Sequence, residues 1–170
     1  IGLLYDKSQD SSIGSIEDAI KFCEENNLEY VEKTGTTSAE IQAAADSLVA
    51  EKVDAVFTPQ DNTVMTAELA IFEKFTDAKI PHYTGADSFA LNGAFIGYGV
   101  NYENLGTVTA DMAVEVLVDG KNPAEMPVET LEDGIITINT ETAESVGIAV
   151  ETFKDLGSEV VETVTAKEFE

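Results

Sequence analysis

Four apolar runs each end directly in a cluster of small polar or acidic residues, and this repeated order constrains the fold more than any other feature. The runs cover residues 1–5, 53–57, 80–83 and 94–100. The clusters that follow them cover residues 6–12, 58–63, 85–88 and 101–104. Short continuous apolar runs are typical of strands buried in a parallel sheet, and the carboxyl ends of such strands share one edge. We therefore expect all four clusters to line a single crevice.

The segments between these runs have helical periodicity. Ile13, Ile16, Ile20 and Cys23 recur at helical spacing and predict a helix near residues 12–26. Residues 37–40 have the form of a capping box that opens a second helix. Further helices are predicted near 62–75, 87–91 and 105–119, and a further strand at 28–32. The βαβαβαβ order predicts an α/β fold with a doubly wound parallel sheet and helices on both of its faces.

The pattern changes after Gly120. Residues 127–131 and 134–138 predict two strands near a turn at residues 132–133, and residues 140–146 predict a short helix that Gly147 ends. From Ile148 onward no clear periodicity is present. We therefore divide the chain into segments 1–120 and 121–170.

Composition excludes several classes of function. The chain has 33 acidic and 9 basic residues and a formal net charge of −24, which disfavours nucleic-acid binding and docking to anionic membranes. Cys23 and His82 are the single cysteine and histidine, and both occupy apolar surroundings that predict structural roles. No nucleophile elbow of the Gly-x-Ser-x-Gly type is present to accompany His82. We therefore expect no catalytic residue, no metal site and no cofactor.

The ordered set of segments resembles a known family. The segments of this chain that carry the resemblance are residues 1–5 with Ser11 and Ser12, residues 53–64, Ile80 with Pro81, residues 86–88, residues 97–102 with Leu105 and Gly106, and residues 138–140 with Ala143 and Gly147. In this order they resemble the substrate-binding proteins of ABC importers, with the type I periplasmic-binding-protein fold. More narrowly they resemble the branch that includes tryptophan- and tyrosine-binding lipoproteins.

The resemblance implies a particular architecture. Such proteins have two α/β lobes joined by hinge strands, trap a small ligand between them, and deliver it to a membrane permease. It implies that residues 1–120 are the second lobe and that residues 121–170 are a return segment that would complete an absent first lobe. Because the chain opens directly on its first strand, we interpret it as a segment of a longer extracytoplasmic protein, periplasmic or lipid-anchored, whose parent carries a signal peptide. We expect the strands near 128–131 and 135–138 to lack partners, and the segment to self-associate through them.

The candidate ligand-binding residues are Ser11, Ser12, Asp61, Asn62, Thr63, Asp87, Ser88 and Tyr102. An amino acid carries an ammonium and a carboxylate, and the resemblance favours one with an aromatic side chain. Helix N-termini near Ser12 and Asn62 would offer free N–H groups to the carboxylate. Asp61 or Asp87 would pair with the ammonium, and Tyr5, Tyr83 or Tyr102 would supply apolar area. The alternatives are that the serines and aspartates only cap helices and that the tyrosines only pack.

Two other functions remain open at this stage. A flavodoxin-like or Rossmann-like enzyme would use the same sheet, but the first polar cluster contains no glycine-rich phosphate motif. A ligand-sensing domain of a receptor or repressor would share the two-lobe architecture.

Overall fold

The computed structural model describes residues 1–131, 134–153, 156 and 159–166. Within these residues the strands are β1 (Gly2–Tyr5), β2 (Val31–Thr34), β3 (Val56–Thr58), β4 (His82–Thr84), β5 (Ile96–Val100), β6 (Gly134–Asn139) and β7 (Glu159–Thr163). The helices are α1 (Asp10–Glu25), α2 (Ser38–Glu51), α3 (Asn62–Asp77), α4 (Asp87–Leu91), α5 (Tyr102–Leu117) and α6 (Thr140–Val146). Short 3₁₀ turns lie at Pro123–Glu125 and Val150–Phe153.

The strands form one sheet in the order β2-β1-β3-β4-β5-β6-β7. All neighbouring pairs are parallel except β5 and β6, which are antiparallel. The predicted α/β fold is thereby confirmed, and the carboxyl ends of β1, β3, β4 and β5 share one edge. The antiparallel β6 brings its first residue, Gly134, to the same edge opposite Val100.

Helices cover both faces of the sheet. Alternate residues of a strand point to opposite faces. Leu3 and Tyr5 of β1 pack with Ile16 of α1, whereas the intervening Leu4 lies in a larger core formed with α2, α3 and α4. The two apolar layers bury the sheet on both sides, as continuous apolar strands require.

Two sequence predictions about strands are wrong in detail. The strand predicted at 28–32 begins at Val31, because the N–H of Leu28 is used to close α1 by donating to the carbonyl of Cys23 at 2.8 Å. Residues 127–131 form no strand, and the side chain of Val128 is 89% exposed. The turn predicted at residues 132–133 lies outside the described residues.

Strand β6 has a neighbour on each side. It pairs with β5 from Ile138, opposite Ile96, to Gly134, opposite Val100. On its other side it pairs with β7 from Ile135 to Asn139. The expectation that residues 135–138 lack partners is therefore wrong, since β7, which the sequence pattern did not reveal, supplies one of them. Residues 134–139 thus lie in the same sheet as β1–β5, while the domain division at residue 120 stays a prediction.

Helix α5 packs differently from the helices before it. None of the sixteen residues of α5 is buried, and the side chains of Val114 and Leu117 are 50% and 82% exposed. Met112, Ala113 and Val116 of α5 line an apolar groove of about 510 Å³ together with Met126 and Pro127. Helix α5 therefore presents an apolar face that the described part of the chain leaves open.

Candidate functional site

Polar loops meet at the carboxyl edge of the sheet, as the sequence predicts. The backbone N–H of Asp6, after β1, donates to the carboxylate of Asp61, after β3, at 2.8 Å. The N–H of Gly85, after β4, donates to the carbonyl of Thr58 at 2.9 Å. The first three polar clusters thus form one continuous hydrogen-bonded edge.

The carboxylate of Asp61 is the centre of this network. Its side chain is 1% exposed and accepts two N–H groups that open α3, those of Thr63 and Val64, each at 3.0 Å. It also accepts from the backbone of Asp6, from the hydroxyl of Ser12 at 2.7 Å and from the amide of Gln9 at 3.0 Å. With five donors already bound, Asp61 acts as a cap and as a link between α1 and α3.

Asp6 is the second buried carboxylate. It accepts from the backbone N–H and hydroxyl of Ser8 and from the hydroxyl of Thr63 at 2.7 Å. Hydrogen bonds from Ser8, then Thr63, lower the pKa of Asp6 to about 2, against the opposing effect of its burial. Asp6 therefore stays ionised despite its burial because the donors of Ser8 and Thr63 surround its carboxylate.

These contacts change the interpretation of three candidate residues. The N–H groups of Thr63 and Val64 donate to Asp61, and that of Asn62 donates to Gln9 at 3.1 Å. The expectation of free N–H groups at the start of α3 is therefore wrong. Ser12 is fully buried, with its hydroxyl turned to Asp61.

Ser11 and Asn62, in contrast, are exposed at the same edge. The hydroxyl of Ser11 donates to the carbonyl of Gln60 at 3.3 Å, which ties the start of α1 to the loop after β3. The backbone of Asn62 is held by Gln9, as described above, and its side chain is exposed. The edge thus has an inner layer of bound side chains and an outer layer that faces solvent.

Asp87 and Ser88 open the short helix α4, and both are partly exposed. The N–H of Ser88 donates to one carboxylate oxygen of Asp87 at 2.8 Å. Glycine at position 97 of β5 allows this segment to approach, since a Cβ there would lie 2.1 Å from the carbonyl oxygen of Ala86. Asp87 is therefore held against the sheet while its side chain still reaches solvent.

The three tyrosines considered for ligand contact separate into two groups. Tyr5 is 4% exposed and donates to Glu32, and burial together with that carboxylate raises its pKa to about 12. Tyr83 packs edge-on against Phe95, with ring centroids 5.5 Å apart. Both therefore have packing roles, whereas Tyr102 is 62% exposed at the start of α5.

A cavity of about 190 Å³ opens at the same edge, lined by Gly85, Tyr98, Gly99, Val100, Leu131 and Gly134. The hydroxyl of Tyr98 accepts a hydrogen bond from the N–H of Gly134, which also lines the cavity, at 3.1 Å. A larger depression of about 460 Å³ lies at the opposite edge, near Asn27, Tyr30 and Asp54. We place the candidate site at the carboxyl edge because the polar loops converge there, not because its cavity is the larger one.

Sequence reasoning missed Gln9 and Asp6. The Gln9 amide nitrogen reaches Asp61 at 3.0 Å and Thr63 at 2.8 Å, so this one side chain joins two loops. Asp6 directly follows β1, and the rule that ligands bind at strand ends could have selected it. No spacing in the sequence indicates the part played by Gln9.

His82 and Cys23 are both buried, as their apolar surroundings in the sequence indicate, and their structural roles stay predictions. Among the residues that the structure describes, no group of three or more histidine, cysteine, aspartate or glutamate side chains is arranged to hold a metal ion. Across those same residues, no helix is both long and apolar enough to cross a membrane.

Comparison with known proteins identifies the family. Residues 1–156 match the family model described as ABC transporter substrate binding protein. The chain is 33% identical over 142 residues to a tyrosine-binding protein of Clostridioides difficile (strain R20291), a match that covers 84% of this chain and 41% of that protein.

Solved structures agree in sequence and fold. One is the ligand-free, open structure of a substrate binding protein with adhesive properties from Clostridium difficile, with 29% identity, a TM-score of 0.79, and coverage of 97% of this chain and 54% of that one. Another is an ABC domain in complex with L-Trp from Streptococcus pneumonia, with 27% identity, a TM-score of 0.77, and coverage of 94% and 54%. The chain spans about half the length of the relatives it matches. With the family model matched over most of its length, the chain belongs to the ABC transporter substrate binding proteins, a family of extracytoplasmic binding proteins rather than enzymes.

Proposed function

We propose that this chain supplies one lobe of the solute-binding component of an ABC importer, which captures an amino acid, preferably an aromatic one, and delivers it to the permease. The observation that carries the proposal is the layered carboxyl edge, where buried Asp6 and Asp61 tie the loops after β1 and β3 together beneath an outer row of polar side chains that reach solvent. The proteins named for tyrosine and tryptophan above support the aromatic class. A lipid anchor and a signal peptide in the parent protein are part of the same proposal.

The outer row suits the two charges of an amino acid. Because Asp61 is saturated by five donors, Asp87 is the carboxylate we assign to the ammonium, by a charge-assisted hydrogen bond. Asn62 and Ser88 supply amide and hydroxyl donors for the carboxylate, and Ser11 ties the start of α1 to the loop after β3. Tyr102 supplies apolar area for the ligand side chain, and Ser12 and Thr63 hold the loops in place.

The open face of α5 supports a two-lobe arrangement. A sixteen-residue helix without a buried residue stands beside an apolar groove, and such faces are normally covered. We propose that the other lobe of the protein covers it, and that without that lobe a second copy of this chain does so. Light scattering over a concentration series tests the second part, and a monomer at every concentration contradicts it.

Calorimetric titration with L-tyrosine, L-tryptophan and L-phenylalanine tests the ligand class, using this chain and a two-lobe protein that contains it. We expect saturable binding by the two-lobe protein and weaker binding by the single lobe. Asp87→Asn should reduce affinity by about tenfold or more, the scale on which a charged hydrogen bond is lost. Asp18→Asn, which removes the same charge from an exposed position of α1, is the matched control. If no amino acid binds the two-lobe protein, the proposed ligand class is wrong.

A further inference from the structure

Three buried polar side chains form a hydrogen-bonded chain beneath the candidate site. His82 Nε2 lies 2.8 Å from the hydroxyl of Thr58, and His82 Nδ1 lies 3.0 Å from Oε1 of Glu68. Thr58 and Glu68 are 0% exposed and His82 is 2% exposed. These hydrogen bonds connect α3, through the first residue of β4, to the last residue of β3, where the polar edge begins.

The surroundings of these three side chains are apolar. The rings of Phe75 from α3 and Phe89 from α4 contact the imidazole edge-on, at centroid distances of 5.2 and 6.3 Å. Glu68 is the titratable side chain that bonds the ring, and its second oxygen, Oε2, has no hydrogen-bond partner among the described residues. Apolar side chains of similar volume in such a place are generally as stable or more so, and an unpaired buried carboxylate oxygen costs stability. Stability alone therefore gives no reason for these three residues.

The hydrogen atoms shared by these three side chains can be arranged in two ways. With Glu68 ionised, Nδ1 of His82 carries a hydrogen and donates it to Oε1. Nε2 then accepts the hydroxyl hydrogen of Thr58, or, once a second proton is bound, donates to that same oxygen. In the second arrangement the Thr58 hydroxyl must turn its hydrogen elsewhere. The orientation of Thr58 is thus tied to the protonation of His82.

Thr58 also joins the two loops that carry the outer row of the site. Its carbonyl accepts the N–H of Gly85 at 2.9 Å, and residues 59–61 follow it directly. Gly85 is packed so closely that a Cβ there would lie 2.8 Å from the backbone nitrogen of Gln60. Thr58 is therefore the residue through which the three buried side chains are connected to both the Asn62 loop and the Asp87 loop.

We propose that Thr58, His82 and Glu68 are positioning residues that link occupancy of the candidate site to protonation of His82. This inference rests on the proposed function, because it needs a ligand at the carboxyl edge. The linkage is reciprocal: a ligand that favours one arrangement of Thr58 shifts the titration of His82, and pH changes ligand affinity by the same factor. None of the three residues needs to touch the ligand.

Because His82 is the single histidine of the chain, ¹⁵N NMR of the imidazole reports on it without ambiguity. L-tyrosine and L-tryptophan are the probes, and the backbone amide signals of Asn62 and Ser88 report binding independently. We expect each bound probe to move the His82 ring nitrogen signals and their titration midpoint. We also expect the affinity for each probe to change by about threefold or more over a pH series from about 5 to 8.

Substitutions separate this linkage from a merely structural role. Glu68→Gln should abolish the pH dependence of affinity while the amide signals still respond to the probe. Thr58→Val, which replaces the hydroxyl with a methyl group of similar size, should do the same and serves where the Glu68 variant does not fold. Thr107→Val, at an exposed threonine of α5 whose hydroxyl donates to the Glu103 carbonyl, is the matched control.

Two outcomes would overturn the inference, and they are distinguishable. If the amide signals of Asn62 and Ser88 shift while the His82 ring signals stay fixed, the linkage is wrong and the proposed function stands. If neither set responds to either amino acid in this chain, the linkage is wrong, and the proposed function is wrong as well if the two-lobe protein also binds neither amino acid in the calorimetric titration.

Discussion

Helices α3 and α5 have the same length and similar starts, yet they occupy opposite extremes of burial. Each spans sixteen residues and begins with a side chain that accepts a backbone N–H, Asp61 for α3 and Asn101 for α5. Helix α3 buries five residues, among them Ile71 and Phe75, whereas α5 buries none. The difference lies in what each helix packs against.

The comparison shows which part of helix formation is local. A capping residue and a run of helix formers suffice to start a helix, but most helix stability in proteins comes from packing of an apolar face. Helix α3 has that packing from α2 and the sheet, in the same core as Leu48 and Val56. Helix α5 has an apolar face without an occupant, so we expect it to depend on contacts made outside the described residues.

The largest expected effect is the contrast between Phe75 and Leu117. Phe75→Ala should reduce the free energy of unfolding by about 3–5 kcal/mol, because a 1% exposed aromatic ring leaves a cavity in the core. Leu117→Ala, at a side chain 82% exposed, should change it by about 0.5 kcal/mol or less. Urea denaturation at low protein concentration measures both.

The same pair of variants also tests self-association. If Leu117→Ala becomes destabilising only as protein concentration rises, the α5 face is covered by a second copy. If it is as costly as Phe75→Ala at every concentration, the contrast between the two helices is wrong.

The caps of the two helices give the next effect. Asp61→Ala removes an acceptor shared by five donors from three segments, and we expect a loss of about 2–4 kcal/mol. Asn101→Ala removes one hydrogen bond, 3.0 Å long, to the N–H of Asn104, and should cost about 1 kcal/mol or less. Urea denaturation of the two variants measures both losses in the free energy of unfolding. Equal losses would show that Asp61 is only a cap.

Local sequence signals were sufficient for much of the fold. The apolar runs located β1, β3, β4 and β5, and the polar residues after them identified Asp61 as a cap or a site residue. Patterns of this kind succeed because a buried parallel strand needs continuous apolar residues and a helix start needs an acceptor.

Other features depend on contacts between distant segments. Gln9 bridges to Asp61 and Thr63, more than fifty residues away in sequence, and nothing in its neighbourhood indicates this. Strand β7 is an edge strand with mostly exposed residues, so it lacks the apolar run that reveals a buried strand. The open face of α5 could not be predicted either, since an apolar stripe gives no indication of whether the chain itself covers it.

A further expected effect concerns acid stability at Asp6, in the region around α3. Its pKa of about 2 in the folded protein lies below the ordinary value of 3.8, so the ionised form stabilises the fold above about pH 4. That contribution should be lost as pH falls from about 4 to about 2. Asp6→Asn should therefore be less stable than the natural chain at neutral pH, with a difference that narrows in acid.

Urea denaturation of both proteins at a series of pH values between 2 and 7 measures this narrowing. The difference between the two curves is needed because Thr36 also lowers the pKa of the exposed Glu40, which contributes to the acid response of both proteins alike. Asp111→Asn on α5 controls for the change in net charge, since this carboxylate is exposed. Parallel curves for the natural chain and Asp6→Asn would mean that the hydroxyls of Ser8 and Thr63 bind the carboxylate no better than water does. The buried network around α3 would then be no more sensitive to acid than the exposed surface of α5.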